Sequence, residues 1–85
     1  MTRKTLLVFG ARHLGRTLCR ELAREGWNIA AVARSPETVA SLQDELPQAL
    51  AIAADACRAE DGEAVFAATQ ERFGGIDLVV NAVTA

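Results

Sequence analysis

The chain has 85 residues, 51% of them hydrophobic and 24% charged, a balance that fits a folded globular chain and excludes disorder; this length holds one domain with a modest core. Its net charge is −2, with basic and acidic residues interspersed, so no basic face of the kind nucleic acid needs is present. No apolar run approaches the roughly 18 residues of a membrane span, and Met1-Thr2-Arg3-Lys4 leads into an apolar stretch too short for a signal-peptide core, which together predict a cytoplasmic protein with no membrane partner.

Leu6-Leu7-Val8-Phe9 is the first strand, and it ends at Gly10. Gly15 follows, and Leu14, Leu18 and Leu22 then recur at helical spacing. In a strand-turn-helix unit of this kind the first glycine lets the chain leave the strand sharply and the second lets the helix approach the sheet. The helix start then aims unpaired N–H groups at the turn, where an anionic phosphate is the natural occupant. Set against Gly-x-Gly-x-x-Gly, Gly10 and Gly15 fill the outer positions and Arg12 stands at the middle one. His13 lies inside the turn, within reach of a ligand but with no second His or Cys nearby to make a metal site.

The first helix presents Leu14, Leu18, Leu22 and Ala23, with Cys19 beside them, as its apolar stripe, and puts Arg16, Arg20, Glu21, Arg24 and Glu25 mostly on the other side. Gly26 supplies the left-handed residue that stops it. Trp27 then packs at the entrance of a second strand, Ile29–Ala33, whose unbroken apolar run suits cover on both faces. Ser35 as N-cap, Pro36 at the first helical position and Glu37 at the positive end of the dipole start a second helix, with Val39, Leu42 and Leu46 inward and Pro47 beyond its end. A third strand, Ala49–Ala54, is followed by Asp55. The last helix covers Ala59–Phe73, its apolar side made by Val65, Phe66, Thr69 and Phe73, and Gly74-Gly75 terminates it before a fourth strand, Ile76–Val80. Cys19 and Cys57 lie in no C-x-x-C or Cys/His cluster, which favours buried or partly buried free thiols in a reducing cytosol over a disulfide or a metal site.

Strict alternation of strand and helix predicts an α/β fold: a four-stranded parallel sheet in the order 3-2-1-4, with helices on both faces. In such a sheet ligands bind beyond the carboxyl ends of the strands, where the strand order reverses. The Gly10-to-Gly15 turn, Arg34, Asp55 and Asn81 all fall on that edge. Arg34 ends the second strand, about 20 residues beyond the turn, where an acid would take the ribose 2′-OH of NAD. Arginine there, with Arg12 in the turn, suits charge-assisted bonds to a 2′-phosphate and points to NADP(H), with NAD(H) as the alternative.

On these residues the chain resembles the short-chain dehydrogenase/reductase family along its whole length, as the N-terminal, dinucleotide-binding half of a Rossmann fold. Val8-Phe9-Gly10-Ala11-Arg12-His13-Leu14-Gly15-Arg16 is similar to that family's glycine-rich opening, Asp55-Ala56 to its adenine contact, and Ile76–Val83 to its Asn-Asn-Ala-Gly strand end. The resemblance implies that Gly10, Arg12, His13, Leu14 and Gly15 surround the cofactor phosphates. It further implies that Arg34, with Ser35 after it, meets the 2′-phosphate, Asp55 accepts from the adenine amino group beside Ala56, and Asn81-Ala82 line the adenosine ribose. The departures are equally specific. Phe9 replaces the family's threonine, the turn is one residue short and lacks a glycine, and Val83 replaces the glycine after Asn81-Ala82. The family's reductases use a Tyr-x-x-x-Lys pair and a serine for proton transfer; this chain has no tyrosine, and Lys4 is its only lysine.

Residues 1–85 therefore read as a single truncated dinucleotide-binding domain, a natural truncation or an excised N-terminal segment, derived from an NADP(H)-dependent short-chain oxidoreductase and inactive alone. A second reading is a non-catalytic binding or dimerisation module that pairs the uncovered fourth strand with another copy. A third is a remnant of the fold that binds nothing.

Overall fold

The computed structural model describes residues 3–83; Met1 and Thr2, part of the lead into the first strand, lie outside that range, as do residues 84 and 85. The elements are β1 (Thr5–Phe9), α1 (Leu14–Arg24), β2 (Asn28–Ala33), α2 (Pro36–Glu45), β3 (Leu50–Ala53), α3 (Ala59–Phe73) and β4 (Leu78–Asn81). All pairings are parallel and the order is β3-β2-β1-β4, as the alternation of elements predicts.

Because side chains alternate across a strand, β1 and β2 feed two cores. Leu6, Val8, Ile29, Ala31 and Ala33 pack with Cys19 and Leu42, and with Leu18, Leu22 and Val39, under α1 and α2. Leu7, Ala30 and Val32 pack on the other face with Val65 and Phe73 of α3. Both layers thus rest on the same two central strands, which hold the turn after β1 in place from either side.

Three local expectations need correction. Leu14 is 77% exposed; the buried face of α1 is centred one residue later, on Gly15 and Cys19, with Leu18, Leu22 and Ala23 flanking it. On the polar side of α1, as expected, Arg16 and Arg20 both bond to Glu45 on α2. Phe66 is 39% exposed although its ring lies 6.0 Å from that of Phe9, so α3 seats chiefly through Val65, Thr69 and Phe73. Finally, β4 starts at Leu78 rather than Ile76 and runs through Asn81. Asp77 explains the late start: its carboxylate accepts the Thr5 N–H at 2.7 Å while its own N–H donates to the Thr5 carbonyl at 2.9 Å, so a side chain replaces a ladder partner. A similar substitution trims β3 at its start, where the Gln43 side-chain amide donates to the carbonyls of Leu46, Pro47 and Ala49.

Candidate functional site

The chain leaves β1 at Gly10 with φ of 91°, a backbone conformation that side chains disfavour. The N–H groups of Gly10 and Ala11 both donate to the Val32 carbonyl, at 2.9 and 3.0 Å, and Ala82 N–H donates to the Phe9 carbonyl at 2.7 Å. The turn is thereby tied to β2 on one side and to the end of β4 on the other. A Cβ on Gly10 would lie 2.7–2.8 Å from the Ala82 and Val83 backbone, and one on Gly15 would lie 2.2 Å from the Gly10 carbonyl oxygen. The two glycines thus serve close backbone approach: Gly10 admits the end of β4, and Gly15 admits Gly10.

Between them, Arg12 to Gly15 form a turn closed by Gly15 N–H to the Arg12 carbonyl at 3.0 Å. His13 carries φ 48° and ψ −113° in this turn, which is where the structure requires the missing glycine. The spacing Gly-x-Gly-x-x-Gly places that gap at Arg12, whose φ is not positive. Helix α1 starts with no side-chain cap and no acid in its first turn. Among the described residues, the N–H groups of Arg12, His13, Leu14 and Arg16 meet no acceptor. Four open donors at the positive end of a helix form a cradle for an anion, and its narrow floor is kept open by Gly10 and Gly15.

The other expected site residues gather along the same edge. Phe9 pairs with Val32 and with Asn81, and Ala33 with Ala53, so Arg34, Asp55 and Asn81-Ala82 follow neighbouring strand ends. Arg34 is exposed, and its neighbour Ser35 caps α2, its Oγ accepting from Thr38 N–H at 3.4 Å. Asp55 Oδ1 accepts from Cys57 N–H at 2.9 Å, and its own N–H donates to Asp61 at 2.8 Å; Ala56 is partly buried beside it. Asn81 Oδ1 accepts from Val83 N–H at 3.1 Å, a bond that does not use the amide's own N–H donors. Sequence reasoning had not recognised His13 as the glycine position, and it had passed over Asp77 as the residue that aligns β4 with β1. The pairing Leu14-Gly15 directly after His13 was the available signal for the first; no signal marked the second.

A separate open groove of about 520 Å³ lies at the opposite edge, lined by Arg3, Trp27, Asn28, Gln48, Arg72 and Phe73 among others. Trp27 packs there against the core under Lys4, whose ammonium is 5.7 Å from the ring centre. Among the described residues no three His, Cys, Asp or Glu side chains gather as a metal site, and no helix is long and apolar enough to cross a membrane.

Comparison with known proteins agrees with this arrangement. Residues 4–85 match the family model for short chain dehydrogenase. Among curated proteins the chain is 36% identical over 84 residues to 3beta-hydroxysteroid dehydrogenase 1 of Eggerthella lenta, covering 92% of this chain and 32% of that protein. It is 39% identical over 87 residues to L-rhamnose 1-dehydrogenase (NAD(P)(+)) of Azotobacter vinelandii, covering 92% and 34%. Among solved structures, an actinorhodin polyketide ketoreductase with NADPH superposes with a TM-score of 0.93 at 29% identity, over 100% of this chain and 36% of its own. A 3-ketoacyl-(acyl-carrier-protein) reductase from Brucella melitensis complexed with NADH gives 0.85 at 28%, over 92% and 33%. The chain spans about a third of the length of the relatives it matches. With its glycine turn, its 3-2-1-4 sheet and a family match over nearly every residue, the chain belongs to the short-chain dehydrogenase/reductase family of oxidoreductases, whose Rossmann-like fold binds a nicotinamide dinucleotide.

Proposed function

We propose that residues 1–85 form one dinucleotide-binding unit, the NADP(H)-binding N-terminal part of a short-chain oxidoreductase that works in the cytoplasm. The observation that carries this reading is the set of open N–H donors at Arg12, His13, Leu14 and Arg16 above a floor of Gly10 and Gly15. In this reading the backbone of residues 10–15 takes the pyrophosphate, and Arg34, with Arg12 across the edge, takes the 2′-phosphate beside Ser35. Asp55 and Ala56 meet the adenine; Asn81 and Ala82 line its ribose. The bound nicotinamide supplies hydride chemistry. These residues bind and orient it, and with no tyrosine present and Lys4 at the far edge over Trp27, we assign them no proton transfer.

Relatives of known structure carry NADPH in one case and NADH in another, so the coenzyme preference rests on this chain's own residues. An acid at Arg34 would favour the 2′-OH of NAD(H); an arginine favours the 2′-phosphate. Dissociation constants for NADPH and NADH, measured by calorimetry on the parent and on Arg34→Asp, test the assignment. NADPH is expected to bind about tenfold more tightly to the parent, a difference of about 1.4 kcal/mol, and Arg34→Asp to remove the difference. Equal parent affinities would defeat the NADP(H) preference and leave NAD(H). Trp27 fluorescence is a poor reporter for this titration, because the indole sits at the opposite edge of the sheet.

The second reading, a dimerisation module, is favoured by β4. Among the described residues it pairs with β1 alone, and Leu78, Val79 and Val83 are exposed. An open apolar edge strand recruits another strand, and in this reading a second copy of the chain supplies it.

A further inference from the structure

His13 is the single non-glycine residue among those described with a positive φ. Its φ of 48° and ψ of −113°, with Gly15 N–H bonded to the Arg12 carbonyl, place it at the first central position of a type II′ turn, where glycine is the normal occupant. The conformation is held from the helix side, because the His13 carbonyl accepts both the Thr17 N–H at 3.0 Å and the Thr17 hydroxyl at 3.2 Å. A strained side chain persists where its surroundings over-determine it, and such outliers gather at ligand clamps. Here the surroundings are anion-seeking: Arg12 beside it is exposed, the N–H groups at Arg12, Leu14 and Arg16 are open, and no acid stands in the first turn of α1. The imidazole is itself exposed and carries a ring N–H.

We propose that His13 contributes a side-chain hydrogen bond to the pyrophosphate of the dinucleotide, replacing with its ring N–H the close backbone approach that a glycine at this position would give. This deepens the NADP(H) reading above and rests on it. The consequence is a split between folding and binding. His13→Gly relaxes the turn, so the midpoint of thermal unfolding of the unliganded chain rises. The same change removes a charge-assisted donor, so NADPH affinity measured by calorimetry falls about tenfold. His13→Asn, which tolerates positive φ and retains an N–H donor, keeps affinity within about threefold of the parent. A purely structural role would move both measurements of His13→Gly in the same direction. Affinity equal to or above the parent's in His13→Gly, with the parent binding NADPH, overturns the role of His13 alone. A fall in the unliganded melting point overturns the strain that motivates it. A parent that binds neither NADPH nor NADH overturns the dinucleotide reading itself.

Discussion

Adding one methyl group at Gly15 asks more of the structure than at any helix surface, because the new carbon would meet the Gly10 carbonyl oxygen at 2.2 Å and Val8 Cγ1 at 3.2 Å. Neither the backbone of the turn nor a buried strand residue has room to withdraw. Gly15→Ala is expected to cost at least about 1–3 kcal/mol in urea unfolding. Gly26→Ala meets no atom within 4 Å but carries φ of 91°, so it should cost only the conformational penalty of about 1–2 kcal/mol. The two thiols divide in the same way. Burial pushes the Cys19 thiol up to about 11, while Cys57, contrary to the expected burial, is exposed, because the turn after Asp55 carries it away from the sheet. A thiol reagent at neutral pH should therefore label one cysteine per native chain, and Cys57→Ser should abolish that labelling. Gly10 and Gly15 were legible because their spacing is a pattern. His13 was not, because the gap in the pattern could be filled at either of two neighbouring residues, and backbone φ decides which.

Between elements, α1 and α2 are tied by a small network that residue types alone do not announce. Arg16 Nε bonds to Glu45 Oε1 at 2.8 Å and its guanidinium donates to Ser41 Oγ at 2.9 Å. Arg20 engages both Glu45 oxygens. The Arg20 bond first, and the Arg16 bond with it, hold the Glu45 carboxyl down at about 2 from its ordinary 4.5. With the folded value below the unfolded one, the contribution is complete above about pH 4.5 and is lost as pH falls toward about 2. Glu45→Gln should flatten the acid limb of stability measured by denaturant between pH 5 and 2, and leave the curve above pH 5 parallel to the parent's. Because these groups face solvent, salt should shrink the difference. Element existence and type were readable from periodicity and punctuation, and α3 was bounded correctly by Ala59 and Phe73. What escaped was where side chains stand in for backbone, Asp77 delaying β4 and Gln43 trimming β3, and where a surface carboxylate, Glu45, joins two arginines of α1 to α2.

At the scale of the molecule, strict strand-helix alternation left one parallel order to expect, because right-handed crossovers and helices on both faces allow few others, and the sheet has it. Burial falls off unevenly across that sheet. The central β1 and β2 are almost wholly buried, whereas on β4 Leu78 is 41% and Val79 45% exposed. Strand alternation puts Leu78 and Val79 on opposite faces, so apolar surface is open on both sides of an edge whose outer hydrogen-bonding row has no partner among the described residues. If a second copy fills that edge, the 85-residue chain should sediment as a dimer at tens of micromolar, and a charge on the strand should oppose it. Val79→Lys, which leaves the β1–β4 ladder and the Gly10 turn intact, should raise the dimer dissociation constant at least tenfold, while NADPH affinity stays at the parent value. A parent that sediments as a monomer at every concentration rules out the self-pairing edge. A dimer untouched by Val79→Lys assigns the interface to another surface.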